Sequence, residues 1–216
     1  MIAMILAAGR GERLRPLTDS LPKALVEVHG ESLLERHLQA LKIAGAETVV
    51  INLGWQGEQI VERVGSGTRF GLNVVYSPEG EDILETGGGI HRALPMLGGD
   101  PFLVVNADIF TDMLLPSAQL DDGDMAHLVL VPTPESKKSG DFDLSGDRVC
   151  NGDNAELTFS GVSVYRPEFF AGCTAGRFSV VPMLRVAADA GQLRGSIYEG
   201  PWKDVGTPER LSELNT

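Results

Sequence analysis

In the first half of the chain, short apolar runs rich in β-branched residues alternate with stretches of helical period. Residues 1–7 (Met-Ile-Ala-Met-Ile-Leu-Ala) are continuously apolar, which predicts a strand covered on both faces. Ser32 is suited to cap a helix; Leu33, Leu34, His37, Leu38 and Leu41 follow at helical spacing, and Gly45 stands at the end. Strands are then expected at 48–53, 72–77 and 102–106, with helices at 57–64 and, after three consecutive glycines, at 90–97. Strands joined by crossover helices predict an α/β protein with a central mixed, mainly parallel sheet flanked by helices.

Beyond Asp108 the pattern changes. Residues 127–132 and 157–165 read as strands, and the Gly-, Asp- and Ser-rich stretch between them as hairpins and loops, a rim or lid facing a substrate. A helix is expected at 179–190, a strand end at 202–205, and a closing helix at 208–214 capped by Thr207. No repeat, low-complexity tract or linker interrupts the 216 residues, so one domain spanning 1–216 is expected.

Composition narrows the function. A net charge of −12 opposes binding to nucleic acid or to an anionic membrane surface. No apolar stretch is long enough to span a bilayer, and the N-terminal run has no basic region ahead of it, so a strand is expected there rather than a leader. Two cysteines, Cys150 and Cys173, are too few for a disulfide framework or a tetrahedral zinc site, and a reducing, cytoplasmic setting follows. Against the acidic background, residues 9–23 carry Arg10, Arg13, Arg15 and Lys23 with only Glu12 and Asp19. That local excess of positive charge suits a small anionic substrate.

Four constellations could carry chemistry. In Leu6-Ala7-Ala8-Gly9-Arg10-Gly11-Glu12-Arg13-Leu14-Arg15-Pro16-Leu17-Thr18, followed by Pro22-Lys23-Ala24-Leu25, a buried strand opens into a loop of small residues and cations. Gly9 and Gly11 would let backbone N–H groups converge on phosphate oxygens, while Arg13 and Lys23 would neutralise a triphosphate. Spacing alone is equally compatible with an ordinary turn bearing solvated arginines; neither a P-loop nor a dinucleotide fingerprint is present. In Val104-Val105-Asn106-Ala107-Asp108 a carboxylate stands beyond a buried strand, where ligands of α/β sheets gather. Magnesium takes one or two carboxylates, and Trp202-Lys203-Asp204-Val205-Gly206-Thr207 offers a second, although Asp108 could be a turn residue and Asp204 a helix cap. Tyr76-Ser77-Pro78-Glu79-Gly80 with Leu84-Glu85-Thr86-Gly87-Gly88-Gly89 could admit a flat base, with Glu79 alternatively a solvated turn carboxylate. Gly140-Asp141-Phe142 and Thr158-Phe159-Ser160-Gly161 supply polar groups for sugar hydroxyls. The four histidines lack ligand spacing, and His37, on an apolar helix face, reads as packed.

The long first signature resembles that of the sugar-1-phosphate nucleotidyltransferase family, and the resemblance runs nearly end to end. It implies a Rossmann-like nucleotide-diphospho-sugar transferase fold and Mg2+-dependent joining of a nucleoside triphosphate to a sugar 1-phosphate. By the same resemblance, Gly9, Gly11, Glu12, Arg13 and Lys23 line the triphosphate, and Glu79 and Gly87 meet the base, Glu79 accepting from N3–H of a uracil. Asp108 and Asp204 would hold the metal; Asn106, Asp141 and Ser160 would contact the sugar phosphate. The site runs also resemble those of members that use UTP with N-acetylmuramate 1-phosphate in peptidoglycan recycling. Mannose-1-phosphate guanylyl transfer is the nearest alternative activity, and a non-catalytic nucleotide-sugar sensor a more distant one. Ala107 departs from the family pattern, where glycine is expected; its methyl group would narrow the sugar pocket.

Overall fold

The computed structural model describes residues 1–80 and 82–216. In chain order the strands and helices are β1 (Ile2–Leu6), β2 (Glu27–Val28), β3 (Glu31–Ser32), α1 (Leu33–Ile43), β4 (Thr48–Leu53), α2 (Gly57–Val64), β5 (Asn73–Pro78), α3 (Glu85–Leu97) and β6 (Phe102–Asn106). There follow β7 (Ile109–Thr111), β8 (Ala126–Pro132), β9 (Asp143–Ser145), β10 (Arg148–Cys150), β11 (Leu157–Tyr165), α4 (Val181–Asp189), β12 (Leu193–Ile197), β13 (Trp202–Asp204) and α5 (Pro208–Leu214).

One mixed sheet runs β5-β4-β1-β6-β11-β8-β12-β10-β9. The strands from β5 to β6 are parallel, and β11 then pairs antiparallel with both β6 and β8. Alternation along the central strands fills two apolar layers. Ala3, Ile5, Val49, Ile51, Leu103 and Val105 face Leu34, Leu38 and Leu41 of α1 and Ile60 of α2. Met4, Val50, Phe102 and Val104 face Ile90 and Leu97 of α3 and Leu184 of α4. Both faces are dry, which is why these strands read as unbroken apolar runs. Among the described residues no helix is long and apolar enough to cross a membrane.

The predicted caps form: Ser32 Oγ accepts from Glu35 N (3.3 Å) and Thr207 Oγ1 from Arg210 N (3.4 Å). Several elements differ from the sequence expectation, among them the short β2–β3 hairpin, which carried no pattern of its own. Helix α3 begins at Glu85, five residues ahead of the expected start, so the glycine run lies inside it. A Cβ on Gly88 would lie 2.2 Å from the Gly176 carbonyl oxygen, and one on Gly89 2.6 Å from Glu79 Oε1. Close approach to neighbouring segments therefore outweighs the low helix propensity of glycine. Strand β12 went unpredicted because Gly195 interrupts it, yet a Cβ there would lie 2.7 Å from side-chain atoms of Leu144 and Val149. The short β7, also unpredicted, pairs with β13 in a separate ribbon, Asp204 opposite Ile109. A third apolar cluster, Leu14, Val26, Val28, Leu33 and Val205, ties the N-terminal loop to the segment that follows β13.

Candidate active site

The loop after β1 is fixed from beneath by a buried polar relay. Ala7 N donates to Asn52 Oδ1 (2.6 Å), Asn52 Nδ2 to Glu79 Oε1 (2.6 Å), and Leu84 N to Glu79 Oε2 (2.8 Å). Asn52 and Glu79 are buried, so each of these groups would be costly to leave unpaired. Gly54 passes directly under the loop: a Cβ there would lie 2.4 Å from the Ala8 carbonyl oxygen. Further along, Gly11 takes the left-handed conformation (φ 63°), and its carbonyl oxygen accepts from Thr18 Oγ1 (2.8 Å). Three 3-10 turns carry the chain onward to Leu25, with Leu14, Ala24 and Leu25 buried as anchors. The cations are thus presented by a braced loop.

Three adjoining cavities open at the C-terminal ends of β1 and β6. The first lies among Leu6–Gly9, Lys23, Asn52, Glu79, Ile83, Glu85, Thr86 and Asn106–Asp108. Its wall is mostly apolar. The second is bounded by Gly9–Arg13, Lys23, Asp82–Leu84, Asp108, Gly176, Arg177 and Gly206, so that four cations face three carboxylates across it. The third is bounded by Arg13, Asn106, Asp108, Lys137, Asp141, Thr158–Gly161, Trp202, Asp204 and Arg210. Asp108 borders all three. Asn106 joins the first to the third, and Arg13 the second to the third.

The two expected metal carboxylates come from residues almost a hundred positions apart and are brought together by the β7–β13 ribbon. Asp204 pairs with Ile109, and Val205 N donates to the Asp108 carbonyl oxygen (2.7 Å). Each side chain is about one-third exposed and holds one cation: Lys23 Nζ donates to Asp108 Oδ2 (2.5 Å), and Arg210 Nη1 donates to Asp204 Oδ1. Among the described residues no group of three or more His, Cys, Asp or Glu is arranged around a metal. Two carboxylates with water and phosphate oxygens are a donor set that magnesium accepts, so the residues present fit that ion. His37 of α1 is buried, and its Nε2 has no hydrogen-bond partner among the described residues. Burial pushes its pKa down to about 4, which keeps the ring neutral at physiological pH, as a packed residue.

Residues 2–140 match the nucleotidyl transferase family. The chain belongs to this family. It is 48% identical to N-acetylmuramate alpha-1-phosphate uridylyltransferase of Neisseria meningitidis serogroup B, over 99% of this chain and 96% of that protein. It is 36% identical to the protein of the same name from Caulobacter vibrioides, over 96% of this chain and 93% of the relative. The fold matches that of a UDP-glucose pyrophosphorylase solved with UDP-glucose, with a TM-score of 0.80 at 17% identity, covering 99% of this chain and 96% of the other.

Within this nucleotidyl transferase, Gly9, Gly11, Glu12, Arg13, Lys23, Asn106, Asp108, Asp141 and Asp204 all border the connected cavities. Several expected contacts take a different form. Glu79 borders the base cavity but is buried rather than solvated, and both its oxygens already accept hydrogen bonds. Gly87 is not on the cavity wall; a Cβ there would lie 2.5 Å from the Phe178 ring, so its missing side chain serves packing, while Glu85 and Thr86 face the cavity. The Ser160 side chain is fully buried, donating from Oγ to the Val129 carbonyl oxygen (2.7 Å) and accepting from Val162 N (3.2 Å). It secures the bulge where β11 slips register against β8, so in this structure its hydroxyl is engaged within the sheet rather than turned to the third cavity that the residue borders. Asp141 holds its place through Lys137 Nζ (2.6 Å) and Phe159 N (3.0 Å). Ala107 borders the first cavity and not the third. Sequence reasoning missed Asn52, Arg177 and Arg210. Arg177 donates from Nε to Glu85 Oε1 (2.8 Å) across the mouth of the basic cavity. A lone arginine in a loop carries no spacing signal by which it could have been found.

Proposed function

We propose that this enzyme transfers a uridylyl group from UTP to N-acetylmuramate 1-phosphate, giving UDP-N-acetylmuramate and pyrophosphate. The observation that carries the reading is the position of Asp108 at the junction of three cavities: a mostly apolar one suited to a base, one where Arg10, Arg13, Lys23 and Arg177 can meet a triphosphate, and a polar one suited to a sugar phosphate. The names of the two relatives described above support the choice of base and sugar. An oxygen of the sugar 1-phosphate attacks the α-phosphorus in line, the α–β bond breaks, and pyrophosphate departs with the electron pair.

Asp108 and Asp204 would hold Mg2+, which when bound supplies Lewis-acid neutralisation of phosphate charge. The protein's own share is alignment and electrostatics. Gly9 and Gly11 bring backbone close to the triphosphate, with Glu12 beside it. Arg13, at the border of two cavities, and Lys23 offset charge on the leaving pyrophosphate. Asn106 and Asp141 hold the sugar phosphate, and Glu79 sets the floor of the base cavity. On this reading the enzyme serves peptidoglycan recycling in the cytoplasm, the setting that the family resemblance implies. The test is Mg2+-dependent pyrophosphate release from UTP, GTP, dTTP and CTP, each with N-acetylmuramate, mannose or glucose 1-phosphate. Release confined to UTP with N-acetylmuramate 1-phosphate is expected. Efficient release from GTP with mannose 1-phosphate would replace the substrates, and none with any pair would leave a nucleotide-sugar sensor.

A further inference from the structure

The two candidate metal carboxylates have cationic partners that serve different cavities. Lys23, on Asp108, borders the base and triphosphate cavities and not the sugar cavity. Arg210, on Asp204, borders the sugar cavity alone. The Arg210 side chain is 27% exposed, and its Nη2 reaches over to Ser136 Oγ (3.2 Å) in the loop that also carries Lys137. Of the other two cations on that wall, Arg13 is shared with the triphosphate cavity and Lys137 is paired with Asp141 at 2.6 Å. Against them stand three carboxylates, Asp108, Asp141 and Asp204. A sugar phosphate entering this cavity needs a cation of its own, and a planar guanidinium presents paired donors to phosphate or carboxylate oxygens.

We propose that Arg210 is a sugar-substrate-binding residue: its guanidinium leaves Asp204 for an anionic group of the incoming sugar phosphate as that carboxylate takes up its ligand. The inference rests on the reading of the third cavity as the sugar phosphate site. Two groups on N-acetylmuramate 1-phosphate share the required chemistry, the 1-phosphate and the lactyl carboxylate. N-acetylglucosamine 1-phosphate, which has only the former, separates them.

The experiment is calorimetric titration of both sugar phosphates into the wild-type chain and Arg210→Ala, with Mg2+ and a non-hydrolysable UTP analogue present. An approximately tenfold or greater loss of affinity is expected in the variant, with the affinity for the UTP analogue unchanged. Loss for both sugars assigns Arg210 to the phosphate, and loss for the muramate alone to the carboxylate. Arg210→Lys, which keeps the charge without the fork, is expected to fall between. Unchanged sugar affinity accompanied by a shifted Mg2+ half-saturation would overturn the proposal and leave Arg210 as a support for Asp204. Binding of the UTP analogue with neither sugar phosphate bound by the wild type would instead sink the sugar assignment of the cavity.

Discussion

The nucleotide wall and the sugar wall are built on opposite principles. The nucleotide wall grows from one contiguous loop after β1, pressed on Gly54 and pinned by the buried Ala7–Asn52–Glu79–Leu84 relay. The sugar wall is gathered from the segments around residues 106–108, 134–141, 158–161 and 202–210, and is held largely by partly exposed ion pairs. Buried relays fix atoms tightly and tolerate little change, whereas exposed pairs exchange partners at small cost. The loop after β1 is thus the more firmly fixed of the two.

The sharpest way to break this comparison is at the point the walls share. Asp108→Asn is expected to lower kcat by roughly 10²–10³-fold while the thermal midpoint stays put. A well-folded variant with normal kcat would remove Asp108 from the reaction. Next, Gly54→Ala drives a methyl group into the Ala8 carbonyl, and is expected to cost about 1–3 kcal/mol and to raise the KM for the nucleotide selectively. Equal effects on both substrates would mean that the two walls are not mechanically separate.

A third prediction concerns scaffold remote from both walls. Burial works to raise the pKa of Glu35, but hydrogen bonds from Arg63, Ser32 and Arg69 outweigh it and hold the group at about 2. Because this lies below the unfolded value of 4.5, the stabilisation is complete above about pH 4.5 and disappears as pH falls toward 2. With the exposed arginines screened it amounts to about 2 kcal/mol. Urea titrations of Glu35→Gln should therefore lack that part of the acid-side slope, and a slope equal to wild type would refute the assignment. The smallest expected effect is at Arg177, whose side chain is 70% exposed. Arg177→Ala should raise the KM for the nucleoside triphosphate about three- to tenfold and leave that for the sugar phosphate alone; an unchanged KM would make the Glu85 pair a surface contact.

The same contrast explains what could be read from the sequence. The nucleotide loop was legible because its glycines, Arg13 and Lys23 stand within one short stretch, and the strands of the parallel half because both of their faces are dry. Asp204 was found through its own motif, but Arg210 looked like an ordinary residue of a closing helix until α5 was placed beside the 134–141 loop. Ser160 misled for the converse reason: a hydroxyl in a Ser-Gly pair reads as available, and only the β11–β8 register shows it turned inward onto Val129. Helix α3 misled because the sequence records glycine's low helix propensity but not the backbone that must pass within touching distance of it.

The β7–β13 ribbon also imposes an order in time. Synthesis proceeds from the N-terminus, so the triphosphate loop, the relay and Asp108 emerge from the ribosome well before Trp202–Asp204 can close on Ile109–Thr111. A growing chain can therefore gather the loop after β1 and Asp108 before Asp204 is joined to them. Asp204 reaches the Asp108 side of the sheet only when Trp202–Asp204 docks on Ile109–Thr111.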